Sequence, residues 1–328
     1  MKAAFYENFG PARDVLRVDE VGLPMPAKGE VRVCLRASGV NPSDVKNRAG
    51  RMSSTMPFLR IVPHNDGAGD VEAVGEGVDS DLIGTRVWVW NAQFRRPFGT
   101  AATHVTLPAV QVVPLADTVS YIDGACLGVP AMTAHRALTC GSSVKGSVVL
   151  VSGGSGGVGR YAVQMAKLLG AAKVIATIGN LERRSSVEAA GADVVLDYRE
   201  SKVSEAILDA AGGRVDRIVE VEWGTNHALD IQVIKPEGEI SVYGSASQMN
   251  PVVNIQQLMM GGITMHFRSV FLLPSDARQR AISDLTQWVT AGVLSHEVAE
   301  VLPLHEIATA HELVESRSAA GRVMLQIQ

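Results

Sequence analysis

The residues with the plainest chemistry are the glycines of LVSGGSGGVG, residues 150–159. Gly153, Gly154, Gly156, Gly157 and Gly159 satisfy both GxxGxxG and GxGxxG, with Ser155 and Val158 between them. An apolar run precedes them and a helical pattern follows. Glycines in that setting permit a tight turn, backbone approach to a pyrophosphate, and close packing of helix on strand. The helix N-terminus then offers unpaired N–H groups and a positive dipole end to the anion. The spacing therefore implies a dinucleotide site. The second strand ends Ile178-Gly179-Asn180 without a carboxylate, and Arg183 and Arg184 follow. An acid there would grip a free ribose 2′-hydroxyl, whereas a guanidinium binds a 2′-phosphate bidentately. NADP(H) is expected over NAD(H).

Metal chemistry has little to work with. The three cysteines, Cys34, Cys126 and Cys140, share no CxxC spacing, and the eight histidines are not grouped as ligands. A four-thiolate zinc lobe and a disulfide framework are both excluded, so a reducing, cytoplasmic setting is expected. Lys plus Arg number 30 against 34 Asp plus Glu, with no like-charge block, which gives nucleic-acid binding little support. MKAAFYENFG lacks the apolar core of a secretory signal, and no apolar run reaches the roughly 18 residues of a membrane span. A protein of small-molecule chemistry, without membrane or nucleic-acid partner, is expected.

The elements that must position these residues are legible from periodicity. Apolar residues make up 46% of the chain and aromatics only 5%, so the core must rest on Val, Ala, Leu and Ile. The first 120 residues read as short strands broken by Gly and Pro: 31–36 alternates in period two, 67–78 is β-rich with glycines where a sheet would bend, and 84–90 follows. Residues 123–138 have helical spacing. Strands are then expected at 147–152, 173–178, 194–196, 215–221, 239–242 and 263–267. Helices are expected between them at 158–169, 181–190, 203–211 and 226–234, with Gly170, Gly191 and Gly212 as C-caps. Alternating apolar strands and amphipathic helices imply a doubly wound parallel sheet of the α/β class. Helices at 276–290 and 304–315 and a strand at 323–327 close the chain.

With these segments in place, the chain resembles the zinc-independent quinone oxidoreductases, the zeta-crystallin-like branch of the medium-chain dehydrogenase/reductase superfamily. GVNPSDVKNRAG (39–50), PHNDGAGDVEAVGEGV (63–78), GVPAMTAHRAL (128–138) and LVSGGSGGVG (150–159) carry the resemblance, in order, along essentially the whole chain. It implies a GroES-like catalytic domain from 1–122 and 266–328 around a Rossmann NADP-binding domain at 123–265, a ligand cleft between them, and a homodimer. Zinc-dependent relatives carry Cys at the position of Asn41, a His–Glu pair at Asn65-Asp66, and their third ligand near Val129. Asn and Val cannot replace thiolate and imidazole as zinc ligands. His64 and His135 are read as polar surface or cleft residues.

The resemblance also assigns cofactor positions. Arg183 matches a basic position after the second strand, Tyr198 an aromatic near the adenosine, and Arg317 a basic residue reaching the 2′-phosphate. Gly179, beside Asn180, is where the backbone passes the adenosine ribose. Gly244-Ser245 and Phe267, Arg268 and Ser269 match segments beside the nicotinamide. The catalytic candidates are Asn41, with its amide facing the cleft, Lys46, where many relatives have Tyr, and Thr133. Asp44 and Arg48 are read as structural anchors. Trp88, Trp90, Phe94 and Phe98 are weighed as a substrate wall against core packing.

Without a metal, a quinone suits hydride transfer because conjugation spreads the developing charge. The expected activity is NADPH-dependent reduction of a quinone. The alternatives are an ene-reductase acting on an enone, acyl-thioester or 2-substituted acrylate, and a non-catalytic nucleotide-binding protein with a structural or RNA-associated role.

Overall fold

In the computed structural model, which describes residues 1–327, the chain divides into Met1–Pro130 with Asp284–Gln328, and Ala131–Ser283. The sequence reading places these boundaries at 122/123 and 265/266. The later second boundary keeps the residues just after the last parallel strand, including Arg268 and Ser269, with the parallel sheet.

The second unit begins with helix α1 (Met132–Thr139) and continues β1 (Val148–Val151), α2 (Gly157–Leu168), β2 (Lys173–Ile178), α3 (Arg184–Ala189), β3 (Val194–Asp197), α4 (Val203–Ala211), β4 (Val215–Glu220), α5 (Trp223–Val233), β5 (Ile234–Val242), α6 (Ile255–Gly261) and β6 (Thr264–Phe267). The sheet runs β3-β2-β1-β4-β5-β6, and every neighbouring pair is parallel. Parallel strands require crossovers, which the intervening helices supply. Order reverses between β1 and β4, which places the ligand-binding crevice of such a sheet at their carboxyl ends. Leu150, Ile175, Ile218 and Ile240 are almost fully buried and join Ile207 and Val233 from the helices in one core. Gly170, Gly191 and Gly212 take positive φ, as expected of left-handed caps.

Three elements differ from their expected form, each for a local reason. Residues 181–190 split into a 3-10 turn, Leu181–Arg183, and α3, because the Asn180 side chain caps the turn by accepting from Glu182 N. Residues 123–138 split into Tyr121–Gly124, a wide turn at Leu127–Ala131 containing Pro130, and α1. Proline removes a helical N–H and crowds the preceding turn. Strand β5 starts at Ile234 rather than 239 because Ile234 already pairs with Val215; Glu237, at φ 58, makes an irregularity inside the strand, which is why Pro236-Glu237-Gly238 reads as a turn in sequence.

The first unit is mainly antiparallel. Its central strand, Glu30–Val40, pairs with Asp66–Val74, His104–Pro108 and Arg322–Gln326. Val31, Val33 and Leu35 point into a core with Val71, Val87, Val105 and Leu107. Register shifts bend the pairing with Asp66–Val74. A Cβ at Gly69 would lie 2.0 Å from Cys34 O, so the bend needs glycine there. Arg86–Val89 and Val112–Pro114 extend this sheet on one side and Val298–Pro303 on the other.

Candidate active site

In the second unit, the loop after β1 takes the shape its glycines allow. Gly153 has φ 71, and a Cβ at Gly159 would stand 2.1 Å from Gly153 O. A Cβ at Gly154 would meet Ala176 of β2 at 2.7 Å. Gly156 N-caps α2 with no side chain to satisfy the first-turn amides, and it and Gly157 are exposed. This is the backbone cradle an anion needs at a helix N-terminus. Ser155 and Val158 lie within it, and Arg183 NH1 reaches Ser155 O at 3.5 Å. At the end of β2, Gly179 lies under Tyr198: a Cβ there would be 2.7 Å from the phenolic oxygen, and Tyr198 is otherwise about half exposed. Gly153, Ser155, Gly156, Gly157, Val158, Gly159, Gly179, Asn180, Arg183 and Tyr198 therefore gather at one end of β1, β2 and β3.

A cavity of about 550 Å³ opens at the same end of β4, β5 and β6. Gly244, Ser245, Phe267, Arg268 and Ser269 line it, as do Trp223, Met249 and Pro251. Gly224 N donates to Ser245 Oγ at 2.9 Å, which fixes the turn after β5 against the start of α5. Arg268 is exposed and donates to Phe267 O. Sequence reasoning missed Trp223; a lone aromatic just past an apolar strand was its only signal.

In the first unit, Asn41 lies buried at the N-cap of helix Pro42–Arg48, where Asp44 accepts from Asn41 N at 2.9 Å. Its amide was expected to face the cleft, toward substrate or cofactor. Instead the Asn41 nitrogen donates to Asp66 Oδ2 at 2.7 Å, and its oxygen accepts from Arg322 NH1 at 2.7 Å. Arg322 NH2 stands 3.8 Å from Asp66 Oδ2, and Val129 N donates to Asp66 Oδ1 at 2.8 Å. The positions aligned with zinc ligands are thus tied to one another and to a buried guanidinium. Burial pushes Asp66 up to about 6 against the opposing pull of Arg322 and Asn41. Burial and the neighbouring Asp66 charge push Asp44 up to about 7.

His64 is fully buried rather than at a surface, and so is His135. The His64 and His311 rings stack at 5.1 Å with their Nε2 atoms 2.9 Å apart. Thr100 Oγ1 donates to Asp66 O, which orders the remaining protons. Ser38 donates to Thr100, His64 Nδ1 to Ser38, and His311 Nε2 to His64 Nε2. Burial lowers the pKa of both imidazoles, so both are neutral, and it is this that makes His311 Nε2 the donor to His64 Nε2.

The other candidates are dispersed. Lys46 is half-buried on helix Pro42–Arg48, and Thr133 is buried on α1. Arg317 caps helix Ile307–Ser316 in the first unit, exposed, with φ 57. Asp44 and Arg48 do not pair with each other: Arg48 donates to Gly10 O and pairs with Glu315 at 2.8 Å. Trp88 and Trp90 are core residues, 1% and 4% exposed, so they form no wall.

A doubly wound parallel unit with a glycine cradle, inserted in a chain whose other unit is an antiparallel barrel-like sheet, defines a nucleotide-dependent dehydrogenase or reductase of the medium-chain type. Residues 27–117 match the alcohol dehydrogenase GroES-like domain and 157–287 the zinc-binding dehydrogenase domain. The chain is 30% identical to the quinone oxidoreductase of Sus scrofa over 99% of its own length and 97% of that protein. It superposes on a solved NAD-dependent alcohol dehydrogenase with a TM-score of 0.91 at 27% identity, over 100% of both chains. A mycobacterial protein solved in complex with NADPH gives 0.88 at 29% identity, again over 100% of both. The chain belongs to the quinone oxidoreductase, zeta-crystallin-like branch of the medium-chain dehydrogenase/reductase superfamily.

Proposed function

We propose that the protein is an NADPH-dependent oxidoreductase that reduces a quinone without a catalytic metal. The observation that carries this is the pairing of a glycine cradle, with Arg183 and no acid at the end of β2, and a buried Arg322 network at the zinc-ligand positions. The glycine-loop amides would hold the pyrophosphate, and Arg183 the 2′-phosphate. Gly244, Ser245 and the Phe267–Ser269 segment would flank the nicotinamide ribose and ring. When bound, the cofactor supplies the hydride. Metal chemistry does not fit the residues present: Asn41 and Asp66 are committed to each other and to a permanent cation. Asn41 is then a positioning residue, and Lys46 and Thr133 remain to stabilise the reduced acceptor or supply its proton.

The chain is further read as a homodimer. Strand β6 is a sheet edge, and Met259, Met260 and Phe267 beside it are 75%, 81% and 60% exposed. Pairing β6 with a second copy would cover both the edge and the apolar side chains.

The test is NADPH oxidation, followed optically, against a panel of quinones, enones and acyl-thioesters with NADH as control. Quinone turnover with NADPH preferred supports the reading. Turnover of alkenes alone would make it an ene-reductase, and NADPH binding without turnover of any acceptor a nucleotide-binding protein. Stoichiometric zinc by elemental analysis would overturn the metal-free site. Lys46→Met should lower kcat by about tenfold or more if its ammonium meets the acceptor; unchanged kinetics would remove it from the mechanism. A single-chain mass by light scattering would overturn the dimer.

A further inference from the structure

Two carboxyls lie buried together in the second unit, outside the segments assigned above. Glu220 ends β4 and is 0% exposed; Asp230 lies on α5 and is 1% exposed. Glu220 Oε1 accepts from Asn226 Nδ2 at 2.9 Å and from the Glu222 backbone N–H. Two further oxygens, Glu220 Oε2 and Asp230 Oδ2, are buried with no donor to satisfy them among the described residues. The two acids neighbour each other, and burial together with the Glu220 charge pushes Asp230 well above the ordinary carboxylate range. Ionised carboxylates only accept, so the two orphaned oxygens can satisfy each other only through a proton between them. Glu220 already receives two N–H donors, which makes it the carboxylate and Asp230 the acid.

The pair touches two segments of the candidate site. Asn226 Nδ2, which donates to Glu220, also donates to Ser152 Oγ at 3.1 Å, and Ser152 immediately precedes Gly153. On the other side, Glu222, whose N–H is held by Glu220, accepts from Ala246 N at 3.1 Å and Ser247 N at 3.0 Å. Those residues follow Gly244-Ser245 at the cavity. We propose that Asp230 and Glu220 form a one-proton positioning pair that holds the phosphate loop and the 244–247 turn in place, so that loss of the shared proton weakens dinucleotide binding.

The inference rests on the dinucleotide reading and deepens it. Few other titratable groups face the pair. Tyr243, just past β5, is kept neutral by burial and by the Glu220 charge. Glu222 carries the only other carboxylate in the turn after β4, and His227 of α5 is engaged with Gly224 O. Ser152, just past β1, and Asn226 of α5 do not titrate. A second negative charge at the pair would repel a pyrophosphate and push Glu220 and Asp230 apart, disturbing Asn226 and Ser152.

The experiment is a fluorescence titration of NADPH into wild type and Asp230→Asn from about pH 7 upward to pH 9.5, where ionisation of the cofactor 2′-phosphate is nearly complete and affects both proteins alike. The introduced amide keeps an N–H donor toward Glu220 and cannot gain a charge. The wild-type Kd should rise roughly tenfold across the range while that of the variant stays level. Equal pH dependence in the two proteins would overturn the proposal. Failure of both to bind NADPH at every pH would instead overturn the dinucleotide reading. If Asp230→Asn does not fold, the chain carrying Asp44→Asn, which removes the other buried carboxyl that titrates at about 7, gives an independent readout. Its infrared spectrum should show a protonated carboxyl band at neutral pH that disappears as Kd rises, and absence of that band would overturn the pair.

Discussion

Both units bury carboxylates near their centres, and each solves the resulting electrostatic problem differently. In the first, Asp66 faces Arg322 across 3.8 Å and shares Asn41 with it. In the second, Glu220 faces another acid and the proton between them does the neutralising. A guanidinium keeps its charge at every accessible pH, whereas a shared proton is lost on the alkaline side. The first arrangement is a fixed brace in a unit whose work is to hold shape. The second can respond to conditions, and it lies against the loop that would bind the anion.

The largest expected effect comes from removing the fixed brace. Arg322→Met leaves Asp66 buried without its cation and Asn41 without its donor, and should cost about 3–5 kcal/mol by urea denaturation. A loss below about 1 kcal/mol would mean that burial alone tolerates the Asp66 charge, and the contrast between the two units would break.

A double-mutant cycle sharpens the same point. In Arg322→Met/Asp66→Asn the buried charge is gone. The Asn41 amide is then free to turn its oxygen toward the amide nitrogen introduced at position 66, while Val129 N keeps an acceptor. The coupling between the two substitutions should be about 2 kcal/mol. Acid should rescue the single Arg322→Met variant in part, because Asp66 already holds its proton up to about 6 with the arginine present. Its deficit should therefore shrink as pH falls from 8 toward 5. A deficit independent of pH would show that the arginine acts by packing rather than by charge.

The sequence read the two units unequally, and the reason is physical. The parallel unit is built from local signals: apolar strands, amphipathic helices and glycine caps, each contained in a short window. Its glycine loop was legible because Gly159 is required by the Gly153 carbonyl six residues away. The polar centre of the first unit has no such locality. Arg322 meets Asn41 across 281 positions and His64 meets His311 across 247, so neither partner announces the other. The alignment of Asn41 with a metal ligand singled out the position but not its partner, and so left its amide facing an open cleft. Glu220 and Asp230 were hidden differently. They are close in sequence, but an acid ending a strand and an acid on the next helix look like solvated charges until both prove buried.

The smallest expected effect at neutral pH belongs to that acid pair, and its signature is a slope. The folded pair holds a proton above the usual carboxylate range, whereas the unfolded chain releases it near pH 4. Between those limits the native state binds more protons than the unfolded one, so the pair's contribution to stability falls as pH rises. Asp230→Asn removes the titration and keeps the hydrogen bond to Glu220. The stability of the variant minus that of wild type should therefore climb by about 1.4 kcal/mol per pH unit between roughly pH 5.5 and pH 7.5, the linkage of a single proton. Subtraction cancels the opposing contribution of His64 and His311, whose lowered pKa values favour the folded state as pH rises. A level difference curve would mean that no proton is shared. Glu220 and Asp230 would then be two ionised groups that burial had not changed, and the two units would no longer differ in how they carry charge.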